Sequence, residues 1–418
     1  MTQERTVWIL NHYANTPEFP GPTRHYDLGK RLAARGFDVT VVASSFERIP
    51  SRTHVTGRER WVAADVDGVR YVWLRSNSRA RANDATRVRN MLEFAFRLWR
   101  EGRTRFRGQA PYPDVIIGST PHLFTPLVGW LLARRFRARF VIEVRDLWPE
   151  TFVALGFLGA GHPIVRGLRV LERFLYRRAD RIVSLLPEAW RYIAQQARVP
   201  REKVVWIPNG AVPADSPEPV EVSTARPFTI MYMGSEGRAN VLDDLLVASR
   251  MLQDREAAIR VVLVGDGKER CLLEARAREL SLENLTFVDA VPKKELARLL
   301  PKADAFVALL EDTPLYQYGI SLNKLFDYMA AGKPVILAGD VAHNYVDLAR
   351  CGVTVPPRNP DALAQAMIGL AATPVAERRA MGARGRAYVG AHHDWDLLAE
   401  RFAAVLDEVV AKPRSEER

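Results

Sequence analysis

The stretch GISLNKLFDYMAAGKPVIL, residues 319–337, decides how the second half of this chain folds. Ser321 is a candidate helix cap, because its hydroxyl can accept from an orphan backbone N–H two or three residues on. Leu322, Leu325, Phe326 and Met329 then recur at the i, i+3, i+4, i+7 spacing of one apolar stripe, and Gly332 supplies a stop before a short apolar strand. Asn323, Lys324 and Asp327 lie off that stripe. Lys324 falls in the first turn, where exposed N–H groups and the positive end of the helix dipole favour an anion, and Asp327 stands further along the same helix. A cation for phosphate and a carboxylate for a ribose diol would make this a nucleoside diphosphate seat. An amphipathic helix with solvated charges answers to the same pattern.

On either side of this stretch, apolar runs at 228–233 (FTIMYM), 259–264 (IRVVLV), 285–288 (LTFV), 305–310 (AFVALL), 334–337 (PVIL) and 352–355 (GVTV) alternate with helical periodicity. That alternation is the mark of a doubly wound parallel sheet. Gly234, Ser235, Glu236, Gly237 and Arg238 directly follow the first run; glycines let backbone N–H groups approach a phosphate, and Arg238 adds a forked donor. Gly265, Asp266, Gly267 and Lys268 follow the second and could border a base or ribose, while Glu311 and Asp312 follow the fourth. Each alone reads equally as a tight turn. Together they fall on one sheet edge, the edge at which open α/β sheets bind ligands.

The first half repeats the pattern, with strands expected at 6–10, 38–43, 70–74, 114–118, 139–144, 181–186 and 204–208 and helices including 23–35 and 163–178. Its first loop, NHYANTPEFPGPTRHY, is not a G-x-G-x-x-G turn, which argues against a dinucleotide fingerprint. It instead sets Gly21, Pro22, Thr23, Arg24 and His25 at a helix N-terminus. Arg145, Asp146 and Trp148 follow the strand at 139–144 immediately. Both groups are therefore candidate ligand contacts. The proline-rich AVPADSPEPVEVSTAR, residues 211–226, has no periodicity and reads as a linker. The domains expected are 1–210 and 227–393, closed by a helix near 394–412.

Composition agrees with two soluble domains. The 418 residues suggest two cores of about 200 each, and 48% hydrophobic with 26% charged residues is ordinary for a globular protein. No run approaches the roughly 18 apolar residues of a membrane span, and the polar start runs straight into a strand, so a cytoplasmic location is expected. Cys271 and Cys351 form neither a disulfide framework nor a metal pattern, and the eight histidines show no H-x3-H or HExxH spacing, so no metal site is expected. The net charge of +11 is uneven: residues 75–107 hold ten arginines against Asp84, Glu93 and Glu101, a local +7. Within them Met91, Leu92, Ala95, Phe96, Leu98 and Trp99 form a helical stripe. A basic helix with aromatic residues can lie on an anionic membrane surface or pack its stripe on the sheet with only the arginines outward. Nucleic acid is not the expected partner, since no helix-turn-helix, RNP or finger pattern is present.

YMGSEGRANVLDDLL, VLVGDGKER, SLNKLFDYMAAGKPVI and GVTVPP resemble the nucleotide-sugar domain of the family 4 retaining glycosyltransferases, which have the GT-B fold. PGPTRHYDLGKRLAARGFDVTVVAS, EVRDLWPE and ERFLYRRADRIVSL resemble the branch that includes fucosamine-type N-acetyl amino sugar transferases of surface polysaccharide assembly. The resemblance runs from about residue 7 to 402. It implies an α/β architecture of two Rossmann-like domains facing across a cleft, with the C-terminal helix packing back on the first.

By that resemblance Arg238 and Lys324 hold the donor diphosphate, Asp327 holds the ribose, and Gly234, Ser235, Gly237, Gly265, Asp266, Ser321 and Asn323 line the nucleotide. Many relatives keep a Glu eight positions before Asp327; here that position is Gly319, leaving the backbone of 319–321 or Glu311 and Asp312 to meet the donor sugar. A second basic residue, usual a few positions after Arg238, is also absent from ANVLDD. The resemblance implies no cofactor and no metal, with Arg238 and Lys324 stabilising the departing diphosphate. The acceptor would attack from the leaving-group side and pass its proton to a donor phosphate oxygen, with Asp146 orienting acceptor or donor. Gly21, Pro22, Thr23, Arg24, His25, Arg145 and Trp148 would meet the acceptor, a polyprenyl-diphosphate-linked saccharide at the inner membrane face. UDP is the nucleotide expected. A nucleotide-sugar epimerase or hydrolase of the same fold is the alternative.

Overall fold

A computed structural model of the chain describes residues 5–47, 52–76, 84–213 and 226–412. The chain divides into two compact units, Met1–Pro208 with Trp395–Arg418, and Asn209–Asp394.

The first unit is built on an eight-stranded sheet. Its strands are β1 (Arg5–Leu10), β2 (Phe37–Ser44), β3 (Trp61–Val66), β4 (Val69–Leu74), β5 (Val115–Ser119), β6 (Arg139–Val144), β7 (Arg181–Ser184) and β8 (Val204–Trp206). They lie in the order β8-β7-β6-β5-β1-β2-β4-β3. Every neighbouring pair is parallel except β3 with β4. The sheet reverses its direction of winding between β1 and β5, so the carboxyl ends of these strands form a switch point. Sequence reading expected seven strands and passed over β3. In WVAADV three consecutive residues are exposed, so this edge strand lacks the buried alternation that reveals the others.

The C-terminal helix Trp395–Ala411 belongs to this first unit. Trp395, Leu398, Phe402, Leu406 and Val409 repeat at helical spacing and join Val7, Ile9, Val39, Val41 and Ile117 in one core. Each such side chain contributes roughly 1.5–3 kcal/mol by leaving water, enough to hold a helix separated from Pro208 by the 186 residues of the second unit.

The second unit has six parallel strands, β9 (Phe228–Ser235), β10 (Ile259–Asp266), β11 (Leu285–Asp289), β12 (Ala305–Leu309), β13 (Val335–Ala338) and β14 (Gly352–Val355). Their order β11-β10-β9-β12-β13-β14 puts a switch point between β9 and β12. All five residues of β12 are buried, which is why AFVAL is apolar throughout. The boundary between units falls two residues earlier than expected. Asn209 belongs to the second unit, where its backbone N–H donates to Ser321 Oγ at 2.9 Å and its Nδ2 donates to the Ser321 carbonyl at 2.6 Å. Ala211 also pairs there, with Asp394. Residues 214–225 of the expected linker lie outside the described residues.

Candidate active site

The helix Asn323–Ala330 starts beside the carboxyl end of β9. Tyr328 fixes it there: its hydroxyl donates to the Met233 carbonyl at 3.0 Å and accepts from the Met233 N–H at 2.6 Å, while its ring stacks on Phe306 of β12 at 4.3 Å. One turn earlier, Lys324 reaches over the β9 loop. Its Nζ donates to Tyr232 Oη at 2.8 Å and to Asn240 Oδ1 at 2.7 Å, and lies 4.3 Å from the centre of the Tyr232 ring. Gly234 makes room for it, since a Cβ there would come within 2.8 Å of Lys324 Cε. Burial pushes the Lys324 ammonium down to about 7. The cation is half-buried and bonded to two neutral acceptors.

Around it the glycines are dictated by backbone contact. A Cβ on Gly265 would collide with the Gly234 carbonyl, and one on Gly267 with the Glu236 carbonyl. The loops after β9 and β10 thus press together, tied by the Glu236 N–H to the Asp266 carbonyl at 3.0 Å. Asp266 Oδ1 accepts from the Gly267 N–H at 2.7 Å, a turn contact. Glu236, fully buried, accepts from Arg270 at 2.9 Å; burial raises its carboxyl and Arg270 opposes. With Glu236 turned inward, Arg238 stands exposed on the short turn Arg238–Asn240, and Ser235 is exposed beside it.

Three expectations for this unit need correction. Ser321 does not cap the helix: Leu322 holds the cap position, and the Ser321 hydroxyl serves Asn209. Asp327 is already engaged, with both carboxylate oxygens 2.6 Å from Lys293 Nζ, so any ribose contact shares that pair. Glu311 is held by the Arg358 guanidinium at 2.9 and 2.6 Å and is not free for a sugar, whereas Asp312 is exposed. Gly319 ends the Pro314–Tyr318 turn with φ of +88°, a conformation that suits glycine and disfavours the carboxylate-bearing residue of relatives.

At the switch point of the first unit the expected acceptor residues separate into two groups. Gly21 and Pro22 are exposed, as is Asp146, and Arg145 is half-buried with its N–H on Thr120 Oγ1 at 2.8 Å. Thr23, Arg24, His25 and Trp148, the other expected acceptor contacts, are buried, and each packs or bonds within its own unit. Thr23 Oγ1 donates to Asp27 at 2.6 Å, and Trp148 packs on Phe152 with ring centres 4.2 Å apart. Arg24 Nε donates to Glu143 Oε1 at 2.8 Å, and its other nitrogens reach the Ile207 and Pro208 carbonyls. His25 Nε2 meets Glu143 Oε2 at 2.7 Å, where Ser119 Oγ also donates at 2.6 Å. Burial pushes the Glu143 carboxyl up, but Arg24 and His25 outweigh it and hold it well below the usual carboxylate range. An ionised carboxylate only accepts, so Nε2 of His25 carries the proton. Burial holds His25 below its ordinary value against the pull of Glu143.

Sequence reading missed Tyr232, Asn240, Lys293, Glu236 with Arg270, and Glu143. A carboxylate inside the otherwise apolar RFVIEV was the available signal for Glu143. It also missed the pair His12 and His122, whose Nδ1 and Nε2 lie 3.0 Å apart beyond β1 and β5, with His12 stacked between Tyr13 and Phe94 at 4.3 and 4.4 Å. Among the described residues no group of three or more His, Cys, Asp or Glu could hold a metal ion.

Comparison with known proteins agrees with this division of the chain. Residues 21–210 match the family described as "Glycosyl transferase 4-like domain", and residues 227–373 match "Glycosyl transferases group 1". The chain is 23% identical over 312 residues to the "Probable glycosyltransferase WbjE" of Pseudomonas aeruginosa, covering 72% of this chain and 76% of the relative. It is 25% identical over 256 residues to the "Putative colanic acid biosynthesis glycosyl transferase WcaI" of Escherichia coli strain K12, with coverage of 58% and 61%. Its fold is similar to that of a sucrose-phosphate synthase from Thermosynechococcus elongatus, with a TM-score of 0.75 at 18% identity over 97% of this chain and 99% of the other. With both of its domains matched and both built on parallel Rossmann-like sheets, the chain belongs to the family 4 glycosyltransferases of GT-B fold.

Proposed function

We propose that the chain is a retaining transferase that moves a sugar from a nucleoside diphosphate donor to a lipid-linked saccharide in cell-surface polysaccharide assembly. The observation that carries the donor half is Lys324, a desolvated cation bonded to neutral groups at the switch point of the second unit. Breaking the anomeric C–O bond leaves negative charge on the diphosphate. In this reading Lys324, Arg238 and the N–H groups at the start of the Asn323–Ala330 helix receive it in place of a metal. The acceptor hydroxyl passes its proton to a donor phosphate oxygen, and Asp146 orients it. UDP and an N-acetylated or deoxy amino sugar follow from the family resemblance, and the name of the E. coli relative supports polysaccharide assembly.

A membrane setting is supported by the helix Asp84–Gly102. Met91, Phe94, Ala95 and Leu98 are buried, while Val88, Leu92 and Phe96 remain 39%, 48% and 61% exposed at i, i+4, i+8. Arg89 is exposed on the same helix, and the Arg100 guanidinium lies 5.7 Å from the Phe96 ring. An apolar ridge among cations suits the anionic inner leaflet. Arg79 and Arg81 of the basic segment lie outside the described residues.

The donor is tested by thermal shift with a panel of UDP-, GDP- and dTDP-sugars. The true donor at 100 times its Kd should add about 2.7 kcal/mol, and no shift with any of them sinks the reading. Release of free or epimerised sugar from donor alone would mark a hydrolase or epimerase instead. For the membrane, co-sedimentation with anionic vesicles at low salt should be lost in the double variant Leu92→Glu/Phe96→Glu; equal sedimentation of both proteins counts against it.

A further inference from the structure

Lys324 is held by two residues to which the sequence assigned no role, Tyr232 and Asn240. Tyr232 Oη donates to the Ser235 carbonyl at 2.6 Å, which turns its lone pairs toward Lys324 Nζ. Asn240 Nδ2 donates to the same carbonyl at 2.9 Å, which fixes the amide so that Oδ1 also faces Nζ. One backbone oxygen therefore orients both acceptors. An ammonium has three donors; two bond to Tyr232 and Asn240 among the described residues.

The charged and titratable neighbours are engaged elsewhere. On the helix that carries Lys324, Asp327 holds Lys293 and Tyr328 holds Met233. Next to β9, Glu236 holds Arg270, and Arg238 is a cation. After β12, Glu311 holds Arg358. Among the described residues none forms an ion pair with Lys324.

We propose that Tyr232 and Asn240 are positioning residues that aim Lys324 at the donor diphosphate through neutral hydrogen bonds, so that the lysine takes its counter-charge from the ligand. The proposal rests on the nucleotide-sugar reading above. A carboxylate in place of either acceptor would keep the lysine charged, but would spend that charge on the protein and repel the diphosphate. The neutral cradle holds the geometry and leaves the charge to the ligand. With burial pushing Lys324 to about 7, the free protein is partly deprotonated near neutral pH. Diphosphate binding then draws a proton in, and affinity is flat below that pH and falls up to about tenfold per pH unit above it.

The experiment is calorimetric titration of the full chain with UDP-N-acetylglucosamine and, in parallel, GDP-mannose, from pH 6 to 8.5 in two buffers of different ionisation enthalpy. The diphosphate diester of these probes does not titrate in that range. The wild type should bind one of them with proton uptake that approaches one per site at pH 8. Tyr232→Phe should move the break in the affinity profile to lower pH and weaken binding more at pH 8 than at pH 6. Asn240→Asp should abolish proton uptake and weaken binding at pH 6 as well. Melting curves confirm that each variant is folded. Wild-type proton uptake and an unmoved profile in both variants overturn the proposal while leaving the donor reading standing. If neither probe binds at any pH, the donor reading falls and the proposal with it.

Discussion

Two cations stand at the two switch points of this molecule, and they are treated in opposite ways. Arg24, 1% exposed, has its donors taken up by Glu143 and by the carbonyls of Ile207 and Pro208. Lys324 touches only the neutral oxygens of Tyr232 and Asn240 among the described residues. A buried charge neutralised inside the fold costs least and does least; it ties strands together. A desolvated charge left without its counterpart costs stability, and the cost is worthwhile only if a ligand supplies the missing charge. By this criterion the arginine reads as architecture, and the lysine is the residue proposed to meet the donor, although sequence reading gave both to ligands.

The comparison breaks first at Glu143. Glu143→Ala leaves Arg24 uncompensated in a closed interior, so the variant should lose about 3–5 kcal/mol of stability or fail to fold, read by urea unfolding. A loss under 1 kcal/mol would mean that Arg24 is not held by this pair. The wild type should also weaken in acid. Glu143 titrates below its ordinary 4.5 in the fold, so its contribution is present above that value and lost as pH falls through the folded pKa. His25 titrates below 6.5, so its share starts to go as pH falls past 6.5.

Lys324→Met is the mirror case. It should cost about 10²–10³ in kcat, the scale of removing one donor from a developing anion, and should melt at or above the wild type in the absence of ligand. The pH signature has the same sense in a higher window. Lys324 titrates near 7 in the fold against 10.5 in the unfolded chain, so the unfolded state holds the extra proton between those values and stability rises with pH across that window. The variant should lose this rise. A destabilised Lys324→Met with unchanged turnover would reverse the two roles.

These roles explain which parts were legible in the sequence. Parallel strands such as AFVAL are buried on both faces, so apolar runs announce them, and the six runs of the second half all became strands. The placement of Lys324 was legible because it is local: a helix start, a lysine in its first turn and a glycine loop one strand away. What decides a charged residue's role is its partner, and partners are distant. Arg24 and Glu143 are 119 positions apart, and Lys324 and Tyr232 are 92 apart. In FTIMYM the tyrosine reads as core, which its ring is; only the approach of Lys324 gives its hydroxyl a task. Strand β3 was missed for the converse reason, since an exposed antiparallel edge has no burial to impose a pattern.

Asp327 and Lys293 fall between the two extremes and provide the finest test. They are a protein-internal pair, like Arg24 and Glu143, yet both are half-buried, and Asp327 stands three residues along the helix from Lys324. If the carboxylate serves the ribose, Lys293 acts through it by fixing its plane and offsetting its repulsion of the diphosphate nearby. Lys293→Met should then raise the donor KM about tenfold, equal to about 1.4 kcal/mol of binding, and leave kcat unchanged, because this interaction is made equally before and at the transition state. Stability should move by under 1 kcal/mol, since a partly exposed pair contributes little. A fall in kcat with KM constant would place Lys293 with Lys324 at the leaving group. A large loss of stability with normal kinetics would place it with Glu143 as architecture.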